Sequence, residues 1–362
     1  MTEIILQSLL EKTSFPSTGY TLNKLFGEAS LREYFRLVYP DGKTLIIMKL
    51  PAGASSKAEE ITKTDKPIIE LPFLNIQKYL ASLTLPVPKV LAYSEKDGLM
   101  VLEDLGDKTL EKMIEAATPA MKLLFYRQVL ELLVALQSKT TLKMDSRFRG
   151  NDMQKNDKNC IAFNRQFDFN LLFWEFNHFI EYGLEDRLKL TLPGNEKKQL
   201  ENFGEKICKK ISKMPYGFTH RDFQSRNLML YQYRWVMIDF QDALKGPLAY
   251  DLVALLRDSY IHLNLIERKE LMAYYVKLLP QNHPYLEATK ELSDDFDLIT
   301  IQRKLKDAGR FQYINTVKKN PKFLPYISNS LAYVSEALER QKQFEPLTQL
   351  LSKYLKEFER KT

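Results

Sequence analysis

The sequence predicts an α+β fold in two parts, a strand-rich stretch over residues 1–102 and a mainly helical one over 103–362. Three observations carry that expectation. Alternating apolar residues and turn signals fill Leu22–Leu50 and return from Val90 to Leu102. From Leu110 onward the apolar residues recur at helical spacing instead. A segment rich in chemistry, 219–242, lies in the second part and ends an apolar run on the acid Asp239.

The elements follow in chain order. The opening stretch carries Glu3 early and has no cleavage-like site after an apolar run, so it reads as a helix and not as a signal peptide. Phe35, Leu37 and Tyr39 alternate along a strand, Pro40-Asp41-Gly42 marks a hairpin turn, and Leu45–Met48 forms a buried strand. Ala52–Lys66 is polar and reads as a loop. Phe73, Ile76, Leu80 and Leu83 mark a helix that Pro72 opens and Pro86-Val87-Pro88 ends. Val90–Ala92 and Leu99–Leu102 make another pair of strands. Leu123, Tyr126, Val129, Leu130, Leu133 and Leu136 then form one helical stripe. A second helix covers Phe169–Tyr182, with Phe173, Phe176, Phe179 and Ile180 facing the core. Between them Asp145–Asn159 is charged, rich in Asn and without period, a polar insert. Charged helices from Glu267 to the C terminus complete the second part.

A chain of 362 residues exceeds one small core, which agrees with two lobes. Its two cysteines, Cys160 and Cys208, make neither a disulfide framework nor a zinc cluster, and four histidines show no paired ligand spacing. A reducing cytoplasm fits this usage. No apolar run approaches the ~20 residues of a membrane span. The charge balance, 53 basic against 46 acidic residues, suits a phosphate-rich ligand. No nucleic-acid motif accompanies it, so neither nucleic acid nor membrane is expected as a partner. The oligomeric state stays open.

The decisive residues are Asp222, Asn227 five positions on, and Asp239 after Val236-Met237-Ile238. ATP-dependent phosphoryl transfer needs such a set: one carboxylate to take the proton of the attacking hydroxyl, an amide oxygen and a second carboxylate to hold magnesium. Lys49 closes the strand Leu45–Met48, where a lysine reaches the α- and β-phosphates. The small-residue turn near Gly27, Ala29, Ser30 and Arg32 lets backbone N–H groups approach phosphates.

The chain resembles the aminoglycoside-phosphotransferase-like kinases. The likeness rests on Gly27–Arg36, Leu102–Asp107, His220–Met229, Ile238–Ala243, Gly246–Leu252 and Leu255–Tyr260, with a looser match over Gln302–Ile327. Within that family it is most similar to the anomeric kinases of N-acetylmuramate and N-acetylglucosamine in cell-wall recycling. The resemblance implies a bilobal protein-kinase-like fold, with ATP and Mg2+ as cofactors. It implies Asp222 as catalytic base and Asn227 and Asp239 as metal ligands. Residues 27–32 would lie over the phosphates, a hinge at Glu103–Leu105 would meet adenine, and Tyr250 and Asp251 would brace the catalytic loop. The chain departs from the pattern in lacking a clear helix carboxylate for Lys49: Glu70 falls just before Pro72, and Glu59 and Glu60 lie in the loop. Asp239 is followed by Phe240-Gln241-Asp242 without glycine, and no Ala-Pro-Glu segment follows, so a small-molecule acceptor is expected. Glu175, Gln224, Arg226, Asp242 and Arg257 are the candidate sugar contacts. Two alternatives stay open. One is a kinase of another small alcohol, such as an aminoglycoside or amino alcohol, to which Arg226 and Arg257 are ill suited. The other is a nucleotide-binding pseudokinase, which the intact Lys49, Asp222, Asn227 and Asp239 disfavour.

Overall fold

The computed structural model describes residues 3–25, 32–51, 70–141 and 159–359. The chain divides into two compact units, each assembled from separate stretches. The first draws on Met1–Glu60, Pro86–Lys108 and Met229–Ile238, the second on Ile61–Leu85, Thr109–Leu228 and Asp239–Thr362.

In the first unit, helix α1 (Glu3–Leu10) packs on a five-stranded sheet of β1 (Thr21–Leu25), β2 (Glu33–Val38), β3 (Thr44–Lys49), β4 (Val90–Ser94) and β5 (Leu99–Glu103). The order is β1-β2-β3-β5-β4 and every pairing is antiparallel. The expected hairpin turn forms because Gly42 takes φ +81°, a left-handed value that costs a glycine little, and its N–H donates to Tyr39 O at 3.0 Å. Alternation then sends Leu37, Leu45, Ile47, Leu99 and Val101 to one face, where they meet Leu6, Leu9 and Leu10 of α1. Each such side chain contributes about 1.5–3 kcal/mol on burial.

The second unit is mainly helical. It holds α2 (Pro72–Ser82), α3 (Leu110–Glu115), α4 (Pro119–Thr141), α5 (Phe169–His178), α6 (Gly194–Ile211), α7 (Tyr250–Leu256), α8 (Leu265–Leu278), α9 (Thr289–Lys318), α10 (Tyr326–Arg340) and α11 (Glu345–Ser352). The sequence reads Phe169–Tyr182 as one helix. The structure instead ends α5 at His178 and winds Phe179–Asp186 as a π-helix. Two glycines suit that wider turn. A Cβ on Gly183 would lie 2.4 Å from the Phe179 ring, and one on Gly309 of α9 would lie 2.8 Å from His178 O and Phe179 Cα. The long helix α9 therefore lies backbone-close against the π-turn.

Short strands frame the chemistry. In the second unit β6 (Tyr216–Thr219) pairs antiparallel with β9 (Leu244–Pro247). Between them in sequence, β7 (Leu228–Tyr231) and β8 (Arg234–Met237) form a two-stranded hairpin. No described helix is long and apolar enough to cross a membrane. The loop read over Ala52–Lys66 and nearly all of the insert lie outside the described residues. Asn159, the insert's last residue, accepts a hydrogen bond from Asn75 Nδ2 at 3.0 Å through its carbonyl.

Candidate active site

Strand β6 delivers the chain into His220-Arg221-Asp222. Arg221 stands at φ +75°, a left-handed conformation costing a non-glycine residue of order 1–3 kcal/mol. Its surroundings hold it there. Asp251, buried in the first turn of α7, accepts the His220 N–H at 2.7 Å and the Arg221 N–H at 3.0 Å. Burial pushes that carboxyl up to about 7, against the two N–H groups that favour its charge. Arg303 of α9 donates to Arg221 O at 2.6 Å. The Arg221 guanidinium lies over the Phe167 ring and pairs with Glu175 at 3.2 Å. A further buried carboxylate, Asp258, accepts the N–H groups of Ser225 at 2.8 Å and Tyr260 at 2.9 Å. Two acids, seven residues apart, thus shape the loop that carries Asp222.

Asp222 emerges from this frame with its side chain 38% exposed and Arg303 Nη2 at 3.3 Å. Burial raises its carboxyl, but the positive charges of Lys306, Arg303 and Arg221 outweigh that and hold it below the usual carboxylate value. The group is therefore an anion at neutral pH, ready to accept a proton. Asn227 donates its Nδ2 to Asp222 O at 2.9 Å, which turns the amide oxygen to the other side. Asp239 follows β8 at φ +65°, and its Oδ1 accepts from Gln241 Nε2 at 2.7 Å. Asp tolerates the left-handed region better than most residues. The amide oxygen of Asn227 and the carboxylate of Asp239 are hard donors of the kind magnesium takes. Among the described residues no group of three or more His, Cys, Asp or Glu side chains forms a metal cage.

The nucleotide candidates lie in the first unit. Lys49 has a carboxylate partner, and it is none of those the sequence offers. Glu33 stands opposite Lys49 in the β2–β3 register and pairs with it at 2.8 Å. Lys24 reaches the other Glu33 oxygen at 2.5 Å, and the two ammonium groups hold that carboxyl at about 2. Glu70 meets Lys78 instead, at 2.6 Å, while Glu59 and Glu60 lie outside the described residues. Arg36 was not singled out by sequence, yet it joins two of the quoted motifs. Its guanidinium meets Asp104 at 2.6 Å and Asp107 at 2.9 Å, fixing the stretch that holds Glu103 and Leu105. Leu105 packs with Met229 and Val236 of the hairpin, flanked by Tyr231 and Ile238, an apolar bed. Glu103 accepts the Lys89 N–H at 3.3 Å and pairs with Lys89. Arg32 is half-buried just before β2. Gly27, Ala29 and Ser30 lie outside the described residues.

The candidate sugar contacts separate by environment. Glu175 is buried, with its oxygens held by Arg221 and by Gln302 at 2.9 Å; it braces the loop that carries Asp222 and presents no free oxygen. Arg257 is likewise buried, pairs with Glu336 at 2.7 Å and stacks over Tyr333, so its guanidinium ties α7 to α10. Arg226 pairs with Glu111 at 2.9 Å and lies 3.7 Å over the Tyr260 ring, which makes it a joint between α3 and the loop. Gln224 is half-buried beside Asp222, and Asp242 is exposed. What sequence reasoning missed is the charged run of α9: Arg303, Lys304, Lys306 and Asp307. Its signal was legible, since three cations interrupt a helix whose neighbouring turns are apolar.

The chain's residues 24–288 match the model of the phosphotransferase enzyme family, APH. A protein of Neisseria meningitidis serogroup B named N-acetylmuramate/N-acetylglucosamine kinase is 29% identical over 348 residues, covering 94% of this chain and 92% of that one. A protein of the same name from Pseudomonas aeruginosa is 26% identical, covering 90% of this chain and 86% of the relative. Among solved structures, a choline kinase from Cryptosporidium parvum superposes with a TM-score of 0.58 at 10% identity, covering 96% and 97% of the two chains. At that identity the likeness speaks for the fold alone, and it is the protein-kinase-like fold expected.

Proposed function

The chain belongs to the phosphotransferase enzyme family, and on that premise we propose that it transfers the γ-phosphoryl group of ATP to the anomeric hydroxyl of an amino sugar, N-acetylmuramate or N-acetylglucosamine. One observation carries the acceptor class: relatives bearing that name match at 25–29% identity over nine-tenths of this chain or more. The product is the sugar 1-phosphate, made for the reuse of cell-wall sugars in the cytoplasm.

The chemistry assigns each residue a task. Asp222 accepts the proton of the anomeric hydroxyl while the oxygen bonds to the γ-phosphorus and the bond to the β-phosphate oxygen breaks, releasing ADP. An anomeric hydroxyl is more acidic than an ordinary alcohol, so an unprotonated Asp222 suffices as base. Arg303 and the Asp251 brace keep that carboxylate aimed. Asn227 and Asp239 would hold magnesium, whose charge, when bound, would offset that of the phosphates. Lys49, steadied by Glu33, meets phosphate oxygens with Arg32, and Gly27, Ala29 and Ser30 of the same sequence segment are assigned to the phosphates with them. The backbone at Glu103 and Leu105, over the apolar bed of Met229 and Val236, receives adenine. Gln224 and Asp242 remain the candidates for sugar hydroxyls.

The test compares both sugars with their 1-O-methyl glycosides, following phosphate attachment by phosphorus NMR. Each free sugar is expected to give a 1-phosphate, and each glycoside none. Turnover of a methyl glycoside at the rate of its free sugar would refute anomeric transfer.

A further inference from the structure

We propose that the cleft between α8, the start of α9 and the end of α10 binds a small amphiphilic anion, one carboxylate or phosphate on an apolar body. The site lies apart from the catalytic loop, and its occupant does not depend on which acceptor the chain phosphorylates. The cleft lies within the second unit and encloses about 490 Å³, a usual size for a small-molecule site. Its walls are apolar, with Leu265, Met272, Val276, Leu292 and Phe296 among them. None of Asp222, Asn227, Asp239 and Arg303 lines it. Along α9 the lining runs from Asp297 back to Thr289, about 9 to 21 Å of helix away from Arg303 at 1.5 Å per residue.

The polar part of the lining sets the sign of the ligand. Three guanidinium groups meet one carboxylate: Glu336 takes Arg257 at 2.7 Å, Arg268 at 2.6 Å and Arg340 at 3.0 Å. Arg340 pairs with Asp297 as well. Lys269, on the same wall, has neither a hydrogen bond nor an ion pair among the described residues. Four cations therefore line the cleft against two carboxylates. Arg257 is the group least satisfied. Its side chain is 2% exposed, and Glu336 takes two of the five N–H groups a guanidinium carries. Its Nε is buried without a hydrogen-bond partner. The Phe296 and Tyr333 rings, 5.7 and 4.9 Å from it, cover its faces and not its edge. Burial, with Arg268 and Arg340 close by, lowers the Arg257 value even with Glu336 attached. A buried donor without an acceptor is unfavourable, and a carboxylate or phosphate oxygen satisfies it while offsetting the excess charge. The apolar walls select a head carried on a hydrocarbon body over a small hydrated ion.

The experiment titrates the full chain with decanoate, decyl phosphate and decanol by calorimetry, with saturating ADP and magnesium present to fill the nucleotide site. At least one anion is expected to bind, and the tighter of the two identifies the head. Decanol should bind ~10- to 100-fold more weakly, the range of a hydrogen bond to a charged group. Ala273→Trp, at an exposed position on the cleft wall, should weaken the anion ~10-fold or more by filling the space. Lys269→Glu should weaken it ~2- to 10-fold by reversing a charge at an exposed position. Decanol as tight as the anions would overturn the proposal, because the cations would then have no part in binding. Anion affinity unchanged in both variants would overturn it too, as adsorption elsewhere on the chain. So would the absence of binding by either anion at millimolar concentration. If Ala273→Trp does not fold, the comparison with decanol and the Lys269→Glu titration decide by the same criteria.

Discussion

At Asp222 a single carboxylate combines exposure with charge. It is open enough to meet a substrate hydroxyl, yet surrounded by cations that keep it ionised. Asp222→Asn should lower kcat by ~10²–10⁴, the usual loss of a general base, while nucleotide affinity stays within a few fold. Near-normal turnover in that variant would remove Asp222 from the chemistry. The same electrostatics sets a pH expectation. Because the folded-state value is depressed, the ionised form persists well into acid, and kcat/KM should show no Asp222 limb between about pH 5 and 7. The stability this group contributes is present above its unfolded value and is lost as pH falls through the folded one. A limb inside that window that is absent when Asp222 is replaced would show the cations to be ineffective. Sequence spacing alone was enough to single out Asp222, Asn227 and Asp239 as candidates, because the pattern lies in their intervals along one short stretch of chain. It was not enough to find Glu33, whose partnership with Lys49 is a matter of strand register and not of sequence distance.

Elements shape the loop more than the loop shapes itself. The Asp251 carboxylate in the first turn of α7 takes two consecutive backbone N–H groups, and the left-handed Arg221 lies between that contact and Arg303. Asp251→Asn offers one oxygen to two donors and turns an NH2 toward the second. A buried donor left unmatched costs about 1–3 kcal/mol, so both Tm and kcat should fall. An unchanged kcat would mean that Arg303 alone holds the loop. Helix α9 supplies a second test through Gly309. Replacing it with alanine gains up to ~1 kcal/mol of helix propensity, but its Cβ would come within 2.8 Å of backbone atoms of His178 and Phe179. Backbone cannot rotate away as a side chain does, so overpacking of about 1–3 kcal/mol should win and lower the Tm. A higher Tm would show that α9 slides freely on the π-turn. Most elements were legible from period and turn chemistry. The π-helix was not, because its cause is the shape of Phe179 against Gly183 and the approach of Gly309, over a hundred residues away.

Over the whole molecule, strand-rich and helix-rich regions were legible from the change of period near residue 103, but the composition of the compact units was not. Helix α2 goes with the helical unit and the stretch Met229–Ile238 with the sheet, exchanges that only three-dimensional contact decides. The chemical division that follows is testable by ligand linkage. A ligand that binds only the folded chain stabilises it by about 2.7 kcal/mol at a hundred times its Kd. ATP with magnesium at saturating concentration should therefore raise the Tm of the wild-type chain. Asp222→Asn should keep that shift, because the proposed function gives Asp222 to the acceptor hydroxyl and not to the nucleotide. Asp239→Ala should lose most of the magnesium-dependent part while keeping a smaller, metal-independent one, because Lys49 and the Leu105 bed stay intact. Equal shifts in all three proteins would make Asp239 a strand-end residue without a metal role. A full shift without turnover of any sugar would make the chain a nucleotide-binding pseudokinase. The two single substitutions thus separate nucleotide and metal binding from acceptor chemistry without a bound structure.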